Sequence, residues 1–103
     1  MSGETRYVGV YAAQVDDEDL YRRYRAQMTP LLHARGGAFR YDFAVSQTLI
    51  SEAKHPINRV FMIGFPSRAV ADAFFSDPSY LEARRALFVP AVSAITQIAG
   101  YQE

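Results

Sequence analysis

Residues Asn58 to Phe75 read NRVFMIGFPSRAVADAFF. The apolar run from Val60 to Phe65 stops at Pro66-Ser67, and beyond it Val70, Ala71, Phe74 and Phe75 recur at helical spacing. A strand therefore feeds directly into an amphipathic helix that starts at Ser67. The run alternates at neither period two nor period 3.6, which predicts a strand covered on both faces rather than one half-open to water.

The elements on either side extend this pattern. Tyr7 to Gln14, YVGVYAAQ, is short and rich in β-branched and aromatic residues, as a strand requires. The four acids Asp16 to Asp19 follow it, where a helix N-terminus favours negative charge and a side-chain cap. The spacing predicts a helix over Asp17 to Ala34 with Leu20, Tyr24, Met28, Leu31 and Leu32 inward. Pro30 removes one helical hydrogen bond, which predicts a kink or a restart capped by Thr29. Gly36-Gly37 stops the helix.

Ala38 to Val45 alternates cleanly, with Phe39, Tyr41, Phe43 and Val45 on one face and Ala38, Arg40, Asp42 and Ala44 on the other. Ser46 to Ile57 has no period and reads as a long hairpin loop. Asp77-Pro78 starts another helix, with Asp77 as cap and Pro78 at its first position, until Pro90 disturbs the spacing. Ala94 to Tyr101 is the last strand.

The order strand, helix, strand, strand, helix, strand is the α+β, ferredoxin-like βαββαβ arrangement: one domain, residues 1–103, with a four-stranded antiparallel sheet and helices on one face. The other face would carry either Val8, Val10, Val60 and Met62 or Tyr7, Tyr11, Phe39 and Phe61. Either set leaves an apolar patch larger than a monomer tolerates, so a homodimer stacking sheet on sheet is expected.

Composition narrows the functional classes. Eleven basic residues, all but Lys54 arginine, balance eleven acidic ones, so no global field draws the chain to nucleic acid or an anionic membrane. The absence of cysteine excludes thiol catalysis, disulfides and cysteine-ligated metal centres. The opening MSGETR lacks an apolar leader and no stretch reaches the ~18 apolar residues of a membrane span, so a cytoplasmic protein is expected. A regulatory amino-acid-binding domain shares this element order, but the segment Val15 to Glu18 after the first strand has no glycine for a ligand loop. An RNA-recognition motif would need a basic, aromatic third strand, and Val60 to Gly64 carries no charge.

Several residues in this order resemble the DUF1330 family. They are Tyr21 and Tyr24, Gly36-Gly37 with Phe39, Arg59-Val60 leading to Phe65-Pro66-Ser67, and Asp77-Pro78 with Tyr80 followed by Arg84 or Arg85. The resemblance spans nearly the whole chain and implies a dimeric α/β-barrel protomer whose sheet packs on its twin's. Members usually carry an acid before Phe-Pro-Ser, where this chain has Gly64, and a Glu-Gly turn where it has Glu52-Ala53-Lys54-His55. The wider superfamily includes cofactor-independent monooxygenases, polyketide cyclases and haem-degrading enzymes, so fold alone selects no reaction.

Candidate catalytic groups are Arg59, Asp42 and His55. Arg40 and Asp42 fall on one face of their strand and Arg59 opens the next, so they could hold an anion, or form a structural ion pair. His55 sits in the long loop, where active-site groups concentrate, and histidine is the usual acid or base near neutral pH. His33 reads as a cation at a helix C-terminus. Two distant histidines without a companion acid imply no metal, and no cofactor is expected. Arg40, Tyr11, Tyr24, Phe74 and Tyr80, with Tyr7, Phe75 and Phe88 nearby, are expected to bind a small apolar or aromatic ligand between sheet and helices. The Arg84-Arg85 pair fits an anion or a solvated helix face.

Overall fold

The computed structural model describes residues 6–103. The segment MSGET, read above as lacking a leader, lies outside them. The strands are β1 (Tyr7–Val15), β2 (Ala38–Ala44), β3 (Arg59–Phe65) and β4 (Val92–Gln102). The helices are α1 (Glu18–Ala34), α2 (Arg68–Phe75) and α3 (Pro78–Ala83), followed by a π-helical turn (Arg84–Phe88) and the short α4 (Val89–Ala91). The sheet runs β2-β3-β1-β4 with every pairing antiparallel, the ferredoxin-like arrangement. No helix among the described residues is long and apolar enough to cross a membrane.

Local chemistry sets the helix ends. Asp17 caps α1 by accepting from the Leu20 amide at 3.0 Å, Ser67 caps α2 through the Val70 amide at 3.2 Å, and Asp77 caps α3 through the Ser79 amide at 2.8 Å. Gly36 takes a left-handed φ of 79° just past α1, a conformation that a side chain disfavours. Of the two outcomes expected at Pro30, a kink or a restart, the restart does not occur. α1 continues through Pro30, and the Thr29 hydroxyl, instead of capping a new helix, donates back to the Arg25 carbonyl at 2.6 Å. Pro90 does disturb its helix: Val89 N–H reaches the Arg84 carbonyl five residues back, and this wider turn sets Pro90 at the start of a new one.

The two sheet faces differ sharply. Phe61, Ile63 and Phe65 of β3 are buried against the helices together with Tyr7, Tyr11, Ala13 and Val15 of β1. From α1, Tyr21, Tyr24, Met28 and Leu32 close over them, joined by Phe74, Tyr80 and Phe88. Val8, Val10, Val60 and Met62 take the opposite face, so the first of the two alternatives holds and the aromatic set faces the helices. Val60 and Met62 are only half-buried, and the neighbouring Tyr41 and Phe43 stack on each other at 5.7 Å while 53% and 52% exposed. The long loop lies along one end of this open face, where Leu49 and Ile50 flank Ala12, Val60 and Thr96.

One expectation about β2 is corrected. Phe39 pairs with Ile63, but the register then shifts so that Tyr41 pairs with Met62 and Asp42 with Phe61. The bulge at Arg40 reverses the alternation. Phe39 and Asp42 therefore face the helices, Tyr41 and Phe43 face outward, and Arg40 and Asp42 do not share a face. Arg40 lies across the open side, where its Cδ would stand 2.8 Å from a Cβ placed on Gly64. Its guanidinium reaches both carboxylate oxygens of Glu103 at 2.7 Å, linking the two edges of the sheet above the buried Val8.

Candidate functional site

A cleft of about 340 Å³ opens between the sheet and the segment from α2 to the π-helical turn. Its floor comes from Tyr11, Phe61, Ile63 and Ile95, and its far wall from Phe75, Tyr80 and Phe88. Tyr24 reaches in from α1, and Leu81, Arg84 and Gln97 stand around it. The position follows from strand spacing. Gly9 and Gly100 face each other across β1 and β4, and the missing side chains leave room for the Tyr11 and Tyr7 phenols, which would collide with a Cβ at either glycine. Tyr11 stacks on Phe61 at 5.4 Å and meets Phe75 edge-on at 6.2 Å.

The polar groups of the cleft are few and interlocked. The Tyr24 and Tyr80 hydroxyls are 2.9 Å apart, and Arg84 donates to the Tyr80 hydroxyl at 3.4 Å while its guanidinium covers the Phe88 ring at 4.6 Å. Gln97 donates its amide to the Tyr7 hydroxyl at 2.9 Å and to the Ala99 carbonyl at 3.3 Å. Burial pushes the Tyr24 phenol far above its ordinary range, reinforced by Tyr80, and burial likewise raises Tyr11. These phenols keep their protons at neutral pH, so they donate hydrogen bonds and do not act as phenolate bases.

Of the expected ligand-contacting residues, Tyr11, Tyr24 and Tyr80 line this cleft. Phe74 is fully buried behind it, packed on Tyr80 at 4.6 Å. Arg40 is on the opposite side of the sheet. Arg84 is the member of the arginine pair that turns inward, whereas Arg85 is exposed and bound to Glu82. The spacing of Tyr80, Arg84 and Phe88 at four-residue intervals is the sequence signal for that placement.

The three candidate catalytic groups are not brought together. Arg59 and Asp42 meet at 3.4 Å within a network. Arg59 also binds both Glu18 oxygens at 2.6 and 2.9 Å, Arg25 binds Asp42, and the arginines lie over Tyr21 and Phe39. This network fastens α1 to the β2-β3 edge, and none of its charges lines the cleft. His55 lies at the open sheet face, with Nε2 at 2.7 Å from the Thr96 hydroxyl and Nδ1 at 2.7 Å from the Pro56 carbonyl. Asn58 clamps the end of β1, accepting from the Val15 amide and donating to the Val15 carbonyl, both at 2.8 Å. Among the described residues, no group of three or more histidines and acids is arranged to hold a metal ion.

Known structures reproduce this fold. A protein of unknown function from Rhodopseudomonas palustris is similar, with a TM-score of 0.79 and 19% identity over 97% of this chain and 83% of that one. A hydroxynitrile lyase from Passiflora edulis gives 0.67 and 15% over 99% and 95%. A dimeric ferredoxin-like protein of unknown function from Thermobifida fusca gives 0.60 and 13% over 100% and 93%. At these identities the likeness is one of fold. No curated protein matches the chain. The family described as Domain of unknown function (DUF1330) matches residues 6–101, and the chain belongs to it.

Proposed function

We propose that the chain is a cytoplasmic homodimer that binds a small apolar or aromatic molecule in the cleft between its sheet and helices. The observation that carries this reading is the Tyr24–Tyr80 hydroxyl pair, buried in an otherwise aromatic and aliphatic wall beside a cleft of about 340 Å³. A concave apolar site with a few converging polar groups is the usual form of a small-molecule pocket. The open face with Tyr41, Phe43, Ile98 and Tyr101 supports pairing with a second copy, as does the dimeric relative of the same fold.

A second reading makes the protein a cofactor-independent enzyme of the monooxygenase or cyclase type, acting on an aromatic or polyketide-like substrate. It is favoured by the placement of the Arg84 guanidinium beside the hydrogen-bonded Tyr24–Tyr80 hydroxyls, a pairing suited to stabilising charge on an enolate oxygen. Both readings are built on the cleft residues, while Arg59 and Asp42 engage Glu18 and Arg25, and His55 engages Thr96.

Amide chemical-shift mapping with a panel of aromatic fragments tests the pocket. Shifts confined to Tyr11, Tyr24, Tyr80, Arg84 and their neighbours are expected. Shifts scattered over the surface, or confined to the loop around His55, would reject it. Turnover of a bound fragment by wild type that Tyr80→Phe slows, with binding retained, would select the enzymatic reading.

A further inference from the structure

We propose that the cleft selects anions: a planar aromatic acid or enolate whose charged oxygen meets Arg84 and the Tyr24–Tyr80 pair while its ring lies against Tyr11, Phe61 and Phe75. This rests on the small-molecule reading above and names the chemical class of the ligand.

The first argument is charge. Among the described residues, Arg84 is the one charged residue lining the cleft. Among the described residues it has no carboxylate partner, whereas the adjacent Arg85 is neutralised by Glu82, its Nε donating at 3.1 Å. Arg84 is partly buried, held by the Phe88 ring and by a long contact to the Tyr80 hydroxyl. A half-buried guanidinium with neither a counter-ion nor full hydration gains most from an anion that brings its own charge.

The second argument is a count of protons. Two phenols carry two hydroxyl hydrogens, and the bond between Tyr24 and Tyr80 uses one. Arg84 supplies a hydrogen to the Tyr80 oxygen and takes none. Whichever phenol donates to the other, one hydroxyl hydrogen is left over: on Tyr80, which Arg84 touches, when Tyr24 is the donor, and on Tyr24 when Tyr80 is. The polar end of the cleft therefore offers a phenol donor and guanidinium donors together, which is the complement of a carboxylate or enolate oxygen and a poor match for an ammonium or a carbocation.

The third argument is shape. Tyr11 stacks on Phe61 and meets Phe75 edge-on, so the three rings make one continuous aromatic wall, and the volume admits a molecule of one or two rings.

Titrating the protein into 2-naphthoate and into 2-naphthalenemethanol tests this, because the chain has no tryptophan to mask naphthalene emission. Wild type is expected to bind the carboxylate about tenfold more tightly than the alcohol, the scale of one charge-assisted hydrogen bond. Arg84→Gln should abolish that preference, weakening the carboxylate about tenfold more than the alcohol. Arg84→Lys should keep part of it, and Arg85→Gln all of it. Equal binding of the two probes by wild type, or an unchanged preference in Arg84→Gln, would overturn the anion assignment while leaving the pocket intact. Failure of both probes to bind would remove the pocket reading and this assignment with it.

Discussion

The hydroxyls of Tyr24 on α1 and Tyr80 on α3 stand 2.9 Å apart, although 56 positions separate them in the chain. One hydrogen bond links them in a region with little other polar company, and it ties the helices to one another at the wall of the cleft. Both rings also pack in the aromatic core: Tyr24 on Phe88 at 4.9 Å and Tyr80 on Phe74 at 4.6 Å.

Removing one member of the pair leaves the other hydroxyl without its partner, so Tyr24→Phe should cost about 1 kcal/mol. The double variant with Tyr80→Phe should cost less than the sum of the singles, a coupling that urea unfolding will read. Tyr24 also sets an alkaline limit. Burial raises the native Tyr24 phenol above its ordinary 10.0, so its contribution is complete below that pH and is lost as the unfolded chain ionises above it. The urea midpoint should fall as the pH rises past about 10, and less steeply in Tyr24→Phe.

The Arg59 network should matter to stability rather than to binding. Its side chain is 16% exposed, that of Asp42 27%, and Glu18 is half-exposed, so solvent screens part of the attraction. Arg59→Met should destabilise by about 1–2 kcal/mol, less than the loss of a fully buried pair. Fragment affinity for the cleft should not change. A loss of affinity without a loss of stability would return Arg59 to the binding site.

Asn58→Ala removes both bonds to the Val15 backbone, leaving an amide and a carbonyl of β1 to find water. The expected cost is about 1–3 kcal/mol, and faster hydrogen exchange at the Val15 amide should accompany it.

The open face gives a prediction about assembly. A homodimer through this face places Phe43 and Ile98, both about half-exposed in one protomer, in its interface. Sedimentation at micromolar concentration should find wild type dimeric and Phe43→Lys shifted toward monomer, with unchanged helix content. A stable wild-type monomer would refute the pairing.

The fold was largely legible in the sequence because each element carried its own punctuation. Asp17, Ser67 and Asp77 cap their helices through side-chain oxygens, and these are local interactions that neighbouring residues specify. The switch from the Val60–Phe65 run to helical spacing beyond Ser67 became β3 and α2. Tyr11, Tyr24 and Tyr80, grouped by their aromatic character in the sequence, all line the cleft, and there Tyr24 and Tyr80 partner each other. The β2 faces could not be read from the sequence. An alternating pattern has the same appearance with or without a bulge, and the shift at Arg40 moved Asp42 to the helices and Tyr41 and Phe43 to the open side.

By itself, then, the sequence determined the element order, the helix ends and the excess of apolar surface that one layer of helices cannot cover. These depend on spacing along the chain and on composition. Only the tertiary structure decided which charged groups share a site, because that depends on contacts across tens of residues. It joined Arg59 to Glu18, Asp42 and Arg25 at the sheet edge, placed His55 at the other face, and left Arg84 beside the Tyr24–Tyr80 pair. A bulge at Arg40 turned Asp42 toward the helices and so toward Arg59, and a π-helical turn carries Arg84 and Phe88 ahead of Pro90.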